Sequence, residues 1–172
     1  MTSLALIVDP GSLPFTLAKA GPVFRKHVGP PVHRTLLQMG RTAKRKAPKA
    51  TSQLTQSIYE QMSLDGLSGV VAPGVNYAQA AEDGTGRYGP SQTPSGKMPP
   101  VESIEDWIRV RNITPDEPWM DERDLAFVIA RSIAVRGTPS QPYLKPAFET
   151  EKAAGQRRIF RGIKRGIREL ES

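Results

Sequence analysis

Thirteen residues leave the backbone of this chain very few choices: Gly137-Thr138-Pro139-Ser140-Gln141-Pro142-Tyr143-Leu144-Lys145-Pro146-Ala147-Phe148-Glu149. Pro139 and Pro142 fix φ and withhold N–H donors, so the approach to Tyr143 must be extended. Pro146 suits a first helical turn, where its missing N–H would be unpaired in any case. Tyr143, Leu144 and Phe148 are the anchors expected to pin that turn to a core. The junction therefore predicts a helix from about Pro146 to Leu170, with Ile159, Phe160, Ile163, Ile167 and Leu170 as its apolar stripe. Arg157, Arg158, Arg161, Lys164, Arg165 and Arg168 occupy the remaining faces.

Upstream, the same punctuation divides the chain. Residues 1–12 read as an N-terminal arm with a short strand at Leu4–Val8. Helical spacing over 13–28 is interrupted at Gly21-Pro22, and Gly29-Pro30-Pro31 predicts a break. Val32, Leu36, Met39 and Ala43 then form one helical stripe ending in Arg41, Lys44, Arg45 and Lys46, with Pro48 as the stop. Leu54 to Leu64 alternates as a strand, with Ile58, Glu60, Met62 and Leu64 sharing one face. Asp65-Gly66 predicts a hairpin turn into a return strand over Leu67–Ala72. Residues 77–81 fit either a short helix or a strand. A loop over 84–100 holds four glycines and four prolines. Two helices follow within 101–136. The first carries Val101, Ile104, Trp107 and Ile108 on one face. The second opens at Asp121 with a stripe of Leu125, Val128, Ile129, Ser132 and Ile133. The fold class expected is α+β: a small antiparallel sheet packed by a long N-terminal helix and a long basic C-terminal helix, with the helical segment 101–136 inserted. At 172 residues a single domain, 1–172, is expected.

Charge is unevenly placed. Residues 51–124 carry twelve acidic and five basic side chains, whereas the rest of the chain carries nineteen basic and five acidic ones. Basic ends of this kind meet nucleic acid or the acidic middle of a neighbouring subunit. Six cations between Arg157 and Arg168 suit phosphate contact without base reading. No cysteine is present, so disulfide and thiolate chemistry are excluded. His27 and His33 flank the Gly29-Pro30-Pro31 segment without the partners of a zinc site, and no metal is expected. Asp121, Glu122 and Asp124 suit the N-terminus of a helix better than a cation. The glycine loop lacks the lysine and hydroxyl order of a P-loop, and no serine sits in a nucleophile elbow. No catalytic residue, cofactor or membrane span is expected, and a protein made in a cytoplasm is the default.

Three segments in order carry a resemblance. They are Lys46-Ala47-Pro48 with Leu54 and Ser57-Ile58, then Asn76-Tyr77-Ala78 with Glu82-Asp83-Gly84-Thr85-Gly86, then the Gly137–Glu149 junction. Together they resemble the tail-component family of tailed bacteriophages, over residues from about 30 to 155. The run from Pro48 to Leu54 lacks the glycine usual there, and about fifty residues separate Gly86 from Gly137. The resemblance implies a virion protein of the neck or upper tail, acting in head–tail joining or tail completion. It implies a homo-oligomeric ring around the DNA path, of six copies or alternatively twelve. Its neighbours would be neck, connector or tail-tube proteins, with non-specific DNA contact in the channel. A tail terminator ring is one alternative. A basic, sequence-independent DNA-binding accessory protein is the other. The low apolar content, 38%, suits a chain that orders its arm, its 84–100 loop and its insertion against neighbours.

Overall fold

A computed structural model describes residues 4–6, 20–49, 52–92 and 98–171. Where the sequence suggests one domain, these residues gather into two compact units. One is built from the described residues within 47–56 and 75–142, the other from those within 4–46, 57–74 and 143–171.

The second of these units is the α+β layer. It holds β1 (Leu4–Leu6), α1 (Gly21–Lys46), β2 (Ile58–Met62), β3 (Gly69–Pro73) and the last helix, Leu144–Glu171. The three strands are antiparallel in the order β1-β3-β2. Leu4 lies opposite Val71 and Leu6 opposite Gly69, and Ile58 lies opposite Pro73 and Met62 opposite Gly69. The turn between β2 and β3 follows its sequence. Asp65 accepts hydrogen bonds from the Leu67 N–H and the Ser63 hydroxyl, and Gly66 takes a φ of 71°. The strand is shorter than expected, because Gln53–Ser57 forms a helical turn, α2, before it. Ile58 is buried, Glu60 and Met62 are half-buried, and Leu64 is fully exposed in the turn. Glu60 is tolerated on the inner face because it lies over Gly40 of α1, and Lys44 one turn on is paired with it at 3.4 Å.

The expected helix break at Gly29-Pro30-Pro31 does not occur: α1 runs unbroken through both prolines. Pro30 and Pro31 cannot donate to the carbonyls of Lys26 and His27. Tertiary packing outweighs that loss, since Val28, Val32, Leu36, Met39 and Ala43 are buried in one continuous stripe on both sides of the prolines. The stripe faces the sheet and the last helix, which runs antiparallel to α1. Only the strand Leu4–Leu6 of the expected arm is described. It pairs with β3 of its own chain.

The other unit contains α3 (Ala78–Asp83), a 3-10 turn at Gly86–Tyr88, α4 (Val101–Arg111) and α5 (Glu122–Arg136); the Leu144–Glu171 helix of the first-described unit is thus α6. Asp121 caps α5 through a capping box with Asp124, which is the role the acidic opening implied. The stripe expected on α5 is displaced. Ala126 and Ala130 are the fully buried positions, Leu125, Ile129 and Ile133 flank them, and Val128 is exposed. Small residues let α4 and α5 approach closely around Ile108. The base of the 84–100 loop is tied within its own unit. The Thr85 N–H donates to the Thr138 carbonyl at 2.9 Å, the Thr138 N–H donates to the Thr85 hydroxyl at 2.9 Å, and the Gln141 N–H donates to the Ala81 carbonyl at 2.8 Å. Gly137, at φ 84°, lies so close to Thr85 that a Cβ would stand 1.9 Å from its carbonyl oxygen. Residues 93–97 lie outside the described residues.

Candidate functional site

The basic helix α6 has three faces, and they differ from the sequence expectation. The face turned to α1 is made of Gly155, Ile159, Gly162 and Gly166. A Cβ on Gly155 would stand 2.4 Å from the Thr35 side chain, and one on Gly162 would stand 2.4 Å from the His27 carbonyl oxygen. That carbonyl is the one Pro31 leaves without an intrahelical donor, so the glycine and the proline meet at one crossing. Large apolar residues were expected at this seam. Of them only Ile159 is fully buried, with Ile163 half-buried.

Phe160, Ile167 and Leu170 stand 59%, 40% and 41% exposed. At about 100° per residue they fall with Ile163 within about 80° of helix circumference. This is a second apolar face, exposed among the described residues except at the half-buried Ile163. The six cations Arg157, Arg158, Arg161, Lys164, Arg165 and Arg168 occupy the remaining arc of about 120°. Lys164 Nζ stands 5.1 Å from the Phe160 ring centroid. Arg157 and Arg161 flank the same ring.

The structure brings half of these cations together. Arg158, Arg161 and Arg165 line one cleft of about 250 Å3 with Pro30, Pro31 and Gly162. A fourth arginine, Arg34 of α1, lines it too. The sequence places Arg34 on a helix but gives no sign that it faces α6; its place in the cleft follows from the Gly162 crossing, three residues before it at Pro31. Arg158 is half-buried, and its Nη1 is fully buried without a hydrogen-bond partner. Arg157, Lys164 and Arg168 stay exposed outside the cleft. At the far end of the α1–α6 pair, Glu169 pairs with Lys26 at 2.9 Å and with His27. Those two donors, His27 first, hold the Glu169 carboxyl below the usual carboxylate range.

The anchor residues are placed as follows. Tyr143 and Leu144 are buried, Tyr143 completely. Phe148 is half-buried, with Lys152 over its ring at 5.7 Å, because Ala147 takes the inward position. Leu144, Ala147 and Phe148 border a small gap shared with Met39 and Ala43 of α1 and Val71 of β3. In the other unit, parts of the first and third resemblance segments meet residues lying between the two runs of the second. Pro48, Ala80, Ala81, Thr138, Pro139 and Gln141 line one cleft together with Trp107 and Arg111. Their hydrogen bonds make this a structural clasp, and among the described residues no group of acids and histidines could hold a metal ion. Among the same residues no helix is long and apolar enough to cross a membrane.

No family model, curated protein or solved structure matches this chain.

Proposed function

We propose that this chain is a structural virion protein of the neck or upper tail of a tailed bacteriophage, acting in head–tail joining or tail completion. Copies assemble as a ring around the DNA path, six in number or alternatively twelve. The resemblance carried by the three ordered segments is the first support. The observation that carries the reading is the apolar face of α6 on which Phe160, Ile167 and Leu170 are exposed beside the half-buried Ile163. Four further exposed apolar residues, Val110, Trp119, Phe127 and Val128, lie on and between α4 and α5, a segment that also exposes Glu102, Asp116 and Glu117. The exposed face of α6 adjoins its cations, and the α4–α5 segment exposes carboxylates. Two different, complementary patches on one chain favour a head-to-tail contact, and such contacts close into rings. Exposed apolar groups of this size on a basic chain mark contact surfaces.

A second reading, a monomeric DNA-binding accessory protein, is favoured by the arginine cleft between α1 and α6. Light scattering on the purified chain, with and without DNA, together with its copy number in assembled particles, separates the two. The ring reading expects six or twelve copies at the neck or upper tail. A single isolated copy per particle, or a soluble monomer–DNA complex with no place in the particle, overturns it.

A further inference from the structure

We infer that the cleft formed by Arg34, Arg158, Arg161 and Arg165 is a phosphate-binding site that takes a phosphodiester of a nucleic-acid backbone. The inference stands on the cleft alone and does not rest on the ring. Arginine stays charged at every physiological pH. Four guanidinium groups lining one cleft repel one another unless an anion lies among them. Among the described residues no carboxylate is paired with any of the four; the acids of this unit that form ion pairs, Glu60 and Glu169, are engaged by Lys44, Lys26 and His27. The buried Nη1 of Arg158 has no acceptor among the described residues. A buried, charged donor left without an acceptor is costly, and the cost falls when an oxyanion enters.

Local geometry explains why the cleft exists. Pro30 and Pro31 form one wall, and Gly162 draws α6 against α1. With no side chain on Gly162, the arginines on either side of it, Arg158, Arg161 and Arg165, line the space together with Arg34. A guanidinium presents a fork of N–H donors that matches two oxygens of a phosphate.

A neighbour's carboxylate has the same oxygen geometry, but five of the eight acids between residues 101 and 124 are already engaged, leaving Glu102, Asp116 and Glu117. Glu105, Asp106 and Glu122 pair with Arg109, and Asp121 and Asp124 form the α5 capping box. A nucleic-acid backbone needs no such release, and successive phosphates reach the adjoining Arg157, Lys164 and Arg168 along the same face.

The test uses the full chain and three probes at equal ionic strength: a random-sequence DNA duplex, inorganic phosphate, and polyglutamate. Arg34→Gln and Arg158→Gln should each weaken duplex binding on the order of tenfold. Each should lower the slope of log affinity against log salt by about one. Arg158→Lys keeps the charge but loses the fork, and should recover only part of the affinity. Lys44→Gln, whose partner is Glu60 away from the cleft, should bind as the parent does. Circular dichroism and melting confirm that each variant is folded; should Arg158→Gln unfold, Arg34→Gln, from an exposed position, carries the test. Duplex affinity and salt slope unchanged in both glutamine variants would overturn the inference. So would tighter binding of polyglutamate than of duplex, which would assign the cleft to a neighbouring subunit. Binding of inorganic phosphate without binding of duplex would overturn the nucleic-acid source.

Discussion

Three glycines on α6 decide how close α1 can come, and they do not respond alike to a methyl group. At Gly162 an added Cβ would meet the His27 carbonyl at 2.4 Å, a backbone atom that cannot swing aside. At Gly166 the nearest atoms are those of the Phe24 ring at 3.6 Å, an ordinary contact. Alanine gains about 1 kcal/mol of helix propensity over glycine. Gly166→Ala should therefore stabilise the chain by about 0.5–1 kcal/mol. Gly162→Ala should destabilise it by about 1–3 kcal/mol, because overpacking outweighs propensity. Each kcal/mol moves the melting temperature by about 2–4 °C in a chain of this size. Opposite signs in paired melting curves check the seam directly, and equal shifts would mean that α6 is rotated from the position described. The ion pair at the end of the same seam predicts a pH dependence. Glu169 is held below the usual carboxylate range by His27 and Lys26, and Asp65 by the Ser63 hydroxyl and the Leu67 N–H. A depressed carboxylate contributes stability that is fully present above its unfolded pKa of about 4 and is lost as pH falls through the folded value. The contribution of these two groups should be constant at neutral pH and disappear below about pH 4. Both are exposed, so the loss is small, and Glu169→Gln should flatten part of it in melting curves taken across that range.

At the scale of elements, the hairpin, the start of α5 and the launch of α6 are legible because each rests on local chemistry. Asp65-Gly66 supplies the turn, Asp121 and Asp124 the cap, and Pro146 the first helical turn. What escaped the sequence depends on a partner helix. Pro30 and Pro31 signal a break in any isolated segment, and only the buried stripe from Val28 to Ala43 overrides it. The spacing of the isoleucines points to them as the seam of α6, whereas contact with α1 requires glycine at 155, 162 and 166, and of the large apolar residues in that stripe only Ile159 fully enters the core. Phe148 gave way to Ala147 for the same reason: the approach of α1 and β3 leaves room for a methyl group at the inward position. The anchor energies should follow burial rather than side-chain size. Tyr143→Ala, at a fully buried site, should cost about 3–5 kcal/mol, and Phe148→Ala, half-buried, about 1–2 kcal/mol. A larger loss of melting temperature for Phe148→Ala than for Tyr143→Ala would reverse the assignment of the anchor.

At the scale of the whole molecule, the candidate site was legible as charge and illegible as geometry. The six cations of α6 can be counted in the sequence, but their sorting into a cleft and an exposed row depends on which face the glycines occupy. Once that face is fixed, the cations and the apolar residues of α6 separate onto different arcs, and their roles can be separated by mutation. Phe160 and Ile167 make few contacts with the chain's own core, so Phe160→Ser with Ile167→Ser should leave the melting temperature within about 1 kcal/mol of the parent. If this face joins copies head to tail, the same double variant should stay monomeric where the parent forms rings, and it should be missing from assembled particles. Its affinity for a DNA duplex, measured on the monomer, should be close to the parent's, because the arginine cleft lies on another arc. Replacing Arg157, Arg161, Lys164 and Arg168 with glutamine makes the opposite prediction: entry into particles is retained, while DNA binding falls steeply and its salt slope drops by about four, the remainder resting on Arg34, Arg158 and Arg165. A serine variant that assembles normally would show that the apolar face is not the subunit contact. A glutamine variant that fails to assemble would show that the cations, and not the apolar residues, hold the neighbour.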